Sequence, residues 1–273
     1  MELNEYQKKD YVQRISSILL LNGGFLDNPG LFTGEMGIVL FILRYARLTQ
    51  IELFSDYGFN LIRKIQNSIH IKTPIDYKQG LAGIGSAFEY LVQSEYIKAD
   101  TDDVLEEMDK RLFALDNFPC LSFDELIGIG YYSLWRIAGK SRKMESIIKN
   151  VLPTIVWILE RKCQNLDFTY PTVEFLRGVV ENENKITVQH FSKIPLSLQL
   201  CRKKFPNGLE EATFNLFMEQ FSSKEFEKPF ELGLLNGLAG FGMALMTQLD
   251  GDDSWISLLT NDLIKQKDEP IPL

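Results

Sequence analysis

Three copies of one short pattern constrain the fold of this chain more than any other feature. Thr33-Gly34-Glu35-Met36-Gly37-Ile38, Gln79-Gly80-Leu81-Ala82-Gly83-Ile84 and Asn236-Gly237-Leu238-Ala239-Gly240-Phe241 share a G-x-x-G-apolar core, and each opens a long apolar stretch. A fourth match, Asp124-Glu125-Leu126-Ile127-Gly128-Ile129, keeps only the second glycine. The second glycines at Gly37, Gly83 and Gly128 stand 46 and 45 residues apart, and Gly240 follows 112 later, which leaves room for one more unit and an insertion of about 20 residues. Counting back 46 from Gly240 reaches Ile194, in the stretch from Gln189 to Leu198, where Phe191 and Ile194 take the two glycine slots. A fixed period of this length is the mark of a repeat architecture, in which each unit buries its apolar face on its neighbours.

The stretches between the copies carry apolar residues at helical spacing: Tyr11, Ile15, Ile18 and Leu19; Phe59, Ile62, Ile65 and Ile69; Val104, Met108 and Leu112; Met144 through Ile158; Leu209 through Phe221. Strand-like alternation is scarce. Each unit therefore reads as a helical hairpin, one amphipathic helix followed by a glycine-started helix that is apolar on nearly every side and so must be buried. Five such hairpins predict an all-α protein, a single α/α toroid domain over residues 1–273, with inner helices starting near Thr33, Gly80, Glu125, His190 and Gly237. Crowding of inner helices around a central axis accounts for the glycines.

The copies from Gly30 to Ile38, Asp76 to Ile84 and Gly233 to Phe241 resemble the repeats of the lanthionine synthetase C-like family. That resemblance implies an α/α toroid, usually of seven hairpins, and a role in modifying or binding a ribosomally made peptide. The family's cyclases hold a zinc ion on two cysteines and a histidine from W-C-x-G and C-H-G sequences before two inner helices. Neither sequence occurs here: Phe123 and Gln189 stand at those slots, and only His190 remains as a possible ligand. No metal or other cofactor is therefore expected, and zinc-dependent cyclisation is not. The resemblance carries over Asp76, four residues before Gly80, as a proton-handling carboxylate, and implies a further histidine just before the first glycine of another repeat, a slot that holds Asp124 in the third copy and His190 in the fourth. Capping of the helix is the competing role for Asp76. Tyr77, Phe123, Glu125, Gln189, Tyr170 and Arg177 complete the candidate ligand-binding set. If the inner helices are parallel, their free N–H groups converge at one end. Asp76, Asp124 and His190 would then line one depression there, with Asn165 to Lys185 along its rim. Pro171 and Gly178 are expected to keep that insertion from forming one continuous helix.

Composition narrows the alternatives. The net charge is −8 with no basic stripe, so nucleic acid is not an expected partner. No apolar run approaches the roughly 20 residues of a membrane span, and no secretion signal precedes the charged first residues, which favours a cytoplasmic address. Cys120, Cys163 and Cys201 are three, widely spaced, and read as small core residues. The expected partners are a peptide substrate or a peptide-modifying enzyme. Two other readings stay open: a carbohydrate-active toroid using two carboxylates among Asp76, Asp124, Glu125, Glu181 and Glu183, and a non-catalytic binding scaffold.

Overall fold

The computed structural model describes residues 4–163, 171–181, 231–235 and 237–259. All regular structure among them is helical: α1 Glu5–Asn22, α2 Glu35–Thr49, α3 Glu52–Ser68, α4 Leu81–Gln93, α5 Thr101–Val104, α6 Glu106–Leu112, α7 Phe123–Ala138, α8 Met144–Ser146, α9 Leu152–Cys163, α10 Pro171–Glu181 and α11 Leu238–Asp250. A π-helical turn, Ile147–Val151, joins α8 to α9, and 3-10 turns cover Gly23–Phe25, Leu115–Cys120 and Ser254–Leu259. The described residues form two compact units. One holds α1, α2, α3 and α11, and the other holds α4 to α10.

Four of the five expected inner helices start where the repeat places them. Gly34 caps α2, Gly80 caps α4, Gly237 caps α11, and Ser122 caps α7. The fifth, near His190, lies outside the described residues. Every residue of α2 from Glu35 to Ala46 and of α4 from Leu81 to Leu91 is buried, as their all-round apolar character requires.

One loop is built three times. The first helical N–H of each glycine-capped helix donates to the carbonyl seven residues back: Glu35 to Asn28 at 2.8 Å, Leu81 to Pro74 at 2.9 Å and Leu238 to Glu231 at 2.9 Å. The chain thus folds tightly over the cap position. A Cβ at Gly34 would lie 2.3 Å from the Asn28 oxygen, at Gly80 2.4 Å from the Pro74 oxygen, and at Gly237 2.4 Å from the Gly233 oxygen. The glycines' φ angles are −115°, −108° and −119°, values any residue can adopt, so the requirement is for space and not for backbone freedom. Crowding at these first glycines comes from each repeat's own loop, a correction to the expected crowding among inner helices.

The second glycines are where repeats meet. A Cβ on Gly37 would lie 2.8 Å from Leu234 of the last copy, and one on Gly128 would lie 3.0 Å from the Tyr77 nitrogen of the second copy. Within their units, the last repeat therefore packs on the first, and the second packs on the third.

Helix α7 begins two residues before the expected Glu125. The third copy has no first glycine, and Ser122 with Glu125 forms a capping box in its place. The outer helices also differ in detail. The buried stripe of α3 runs through Phe54, Gly58, Leu61, Ile62 and Ile65, which turns Phe59 outward. The expected helix over Val104 to Leu112 is broken at Leu105, so Val104 is exposed and Leu105, Asp109 and Leu112 point inward. Cys120 is exposed and Cys163 half-buried, so neither is a core residue.

Part of the insertion folds as α10. Pro171 stands at its first position, where its missing N–H costs nothing, and Gly178 is helical rather than a breaker. Thr172, Val173 and Leu176 are buried, and Leu176 fills the space that a side chain at Gly130 would need. A Cβ on Gly178 would meet nothing within 4 Å. Gly178→Ala is accordingly expected to stabilise the protein by about 0.5–1 kcal/mol, read by urea unfolding. A loss would show that the helix needs glycine there.

Candidate functional site

The entrances of α4 and α7 adjoin in the second unit, because the main chain of Asp76 and Tyr77 lies against Gly128. This brings Asp76, Tyr77, Phe123, Asp124 and Glu125 to one corner. Asp76 is half-buried and its Oδ1 accepts the N–H groups of Lys78 at 2.8 Å and Gln79 at 2.9 Å, so it fastens the entry loop. Removing that acceptor with Asp76→Ala is expected to cost about 0.5–2 kcal/mol, measured by thermal or urea unfolding. An unchanged stability would mean that the loop holds without it.

The other members differ in what they can offer. Tyr77 is 2% exposed with its ring 5.9 Å from that of Tyr131, and burial pushes its phenol well above the ordinary range against hydrogen bonds from Ser86 and Trp135. It has no free face for a ligand. Glu125 is committed to the capping box: its carboxylate accepts the Ser122 N–H at 2.7 Å while its own N–H donates to the Ser122 hydroxyl at 3.3 Å. Phe123 is half-buried and Asp124 exposed in the first turn of α7, the end whose partial positive charge favours an anion. Arg177 donates to Glu160 at 2.7 Å, and Glu181 is exposed. Tyr170, Glu183, Gln189 and His190 lie outside the described residues.

At the opposite ends of α4 and α7 lies a polar cluster that the sequence reading did not single out. The Arg136 guanidinium is 0% exposed and bonds four partners: Glu89 of α4, Thr101 and Asp102 of α5, and Asp109 of α6. Asp109 also accepts from the Tyr132 hydroxyl at 2.6 Å and from Lys143 at 3.2 Å. Asp102 accepts from Ser141 at 2.6 Å and from the Arg142 N–H and Nε at 2.7 and 2.9 Å. Partial burial alone would raise the Asp102 carboxyl, but the Ser141 and Arg142 hydrogen bonds and the Arg136 charge outweigh it and hold the group well below the usual range.

A cleft of about 370 Å³ opens beside this cluster, lined by Glu89, Gln93, Asp100, Thr101, Asp102, Gly139, Lys140 and Arg142 among others. Helix α7 ends here in a turn with Lys140 at φ 58° and the Ser141 N–H donating to the Arg136 carbonyl at 3.0 Å. The left-handed residue is thus Lys140, not the neighbouring glycine. Gly139 serves another purpose: a Cβ there would lie 2.2 Å from Glu89 Oε2.

The signal for the cluster was available. Glu89 and Arg136 are the only charges in the otherwise apolar spans Leu81–Val92 and Leu126–Ala138, and Asp109 falls on the inward register of α6. A lone charge on an all-apolar helix calls for a buried partner. The same logic applies in the first unit, where buried Arg44 of α2 bonds Asp250 at 2.6 Å and the Asp252 carbonyl at 2.7 Å.

Among the described residues, no three His, Cys, Asp or Glu side chains are placed to hold a metal ion, and no helix is long and apolar enough to cross a membrane. No protein-family model, curated protein or solved structure matches the chain.

Proposed function

We propose that this chain is a lanthionine synthetase C-like helical-repeat protein, folded as an α/α toroid, that binds a ribosomally made peptide without catalysing zinc-dependent cyclisation. The observation that carries the reading is the threefold recurrence of the same glycine-capped entry loop, at Gly34, Gly80 and Gly237, with the last copy seated on the first and the second on the third. Such a succession presents adjoining helix N-termini, and at the α4–α7 corner Asp124 stands exposed in the first turn. A peptide amine or basic side chain would pair with that carboxylate.

The test uses a fluorescent model peptide carrying one cysteine and one dehydroalanine, added to the full chain with and without zinc. Saturable binding is expected in both conditions, with the cysteine still open to alkylation afterwards. Asp124→Ala should weaken binding severalfold while costing at most about 1 kcal/mol of stability. Loss of the alkylatable thiol with zinc present, or no binding at all, would overturn the reading.

A further inference from the structure

The Arg136 cluster is unevenly compensated. Glu89, Asp109 and Asp102 share one guanidinium, and two of the three carboxylates are fully buried. Asp109 has a second cation, Lys143, and the Tyr132 hydroxyl; Asp102 has a second cation, Arg142, and the Ser141 hydroxyl. Among the described residues, Glu89 has Arg136 alone among cations. Its remaining donors are neutral, Gln93 at 3.2 Å on Oε2 and Thr101. From the elements packed around it, the charged or titratable groups of the cluster are Arg136 and Tyr132 of α7, Asp102 of α5, Asp109 of α6, and Arg142 and Lys143 of the loop after α7, with Asp100 and Lys140 on the cleft wall beside Glu89. When carboxylates crowd one site, the least compensated one takes up a proton first.

We propose that Glu89 is a proton switch: as pH falls, the folded protein binds a proton at Glu89, and the cleft wall changes from carboxylate to carboxylic acid while Asp102 and Asp109 stay paired. The bond that changes is local. The proton goes to the Glu89 carboxyl, and Arg136 keeps its other two carboxylates. Glu89, Asp100 and Asp102 face Lys140 and Arg142 around the cleft, three carboxylates against two cations before the proton arrives and two against two afterwards. Burial raises the Glu89 carboxyl above the ordinary range even against the Arg136 bond, in keeping with this partner count. Because the folded state holds the proton more tightly than the unfolded chain, the ionised side chain costs stability above its folded titration range, and that cost is relieved as pH falls through it.

Carbon-detected NMR titration of the glutamate carboxyls in the full chain tests this, with the Glu89 signal assigned by its loss in Glu89→Gln. The expected result is a Glu89 midpoint above those of the exposed glutamates. In addition, wild type should gain Tm relative to Glu89→Gln as pH falls through that midpoint. If Glu89→Gln does not fold, backbone-linked assignment in wild type supplies the same midpoint. A Glu89 signal that titrates with the exposed glutamates or below them would overturn the proposal, as would a Tm difference with no pH slope.

Discussion

Arg136→Met is expected to lower the unfolding free energy by about 3–5 kcal/mol, the cost of leaving buried carboxylates without their cation. Met matches the volume of the stem, so lost packing contributes little. Glu89, Asp109 and Asp102 would then face one another in a site where two of them are fully buried. Lysine would not rescue the site, because one ammonium cannot reproduce a planar fork that bonds α4, α5 and α6 at once. Urea unfolding reads the effect. Glu89→Gln should cost far less, since Arg136 keeps Asp102 and Asp109. A loss below about 1 kcal/mol for Arg136→Met would show that solvent reaches the cluster and screens it.

Gly80→Ala is expected to cost about 1–3 kcal/mol, the range for forcing an extra carbon into packed surroundings. The added Cβ would lie 2.4 Å from the Pro74 oxygen, which is held in place by the hydrogen bond from Leu81. A backbone carbonyl cannot swing aside as a side-chain tip can. Gly34→Ala meets the equivalent Asn28 carbonyl at 2.3 Å and Gly237→Ala the Gly233 carbonyl at 2.4 Å, so the three substitutions should have costs of similar size. Circular dichroism with urea measures all three. A neutral result at one position alone would show that its loop relaxes independently of the repeat.

The period of the G-x-x-G copies was enough to place the described inner helices, because an all-round apolar helix has no alternative to burial. The corner residues were harder to read. Asp76 and Glu125 look like catalytic carboxylates in a sequence, yet Glu125 closes the capping box of α7 and Asp76 accepts two N–H groups of the loop that leads into α4. Ser122-Phe123-Asp124-Glu125 is itself a legible capping box that would have moved the start of α7 back by two residues. Tyr77 shows a different limit. Its burial follows from the repeat equivalence with Leu31 and Leu234, which its polar oxygen disguises. Gly139 and Lys140 were not legible at all, since chain order favours the glycine for the left-handed position, and only the place of Glu89 reveals why the lysine takes it.

Hydrogen–deuterium exchange on the full chain, with and without the cysteine–dehydroalanine peptide, tests the proposed peptide-binding role most directly. The account predicts slower exchange in the entry segments 76–81 and 122–126, and no change around the cleft at 139–142. Protection confined to the cleft, or none in either entry segment, would contradict it.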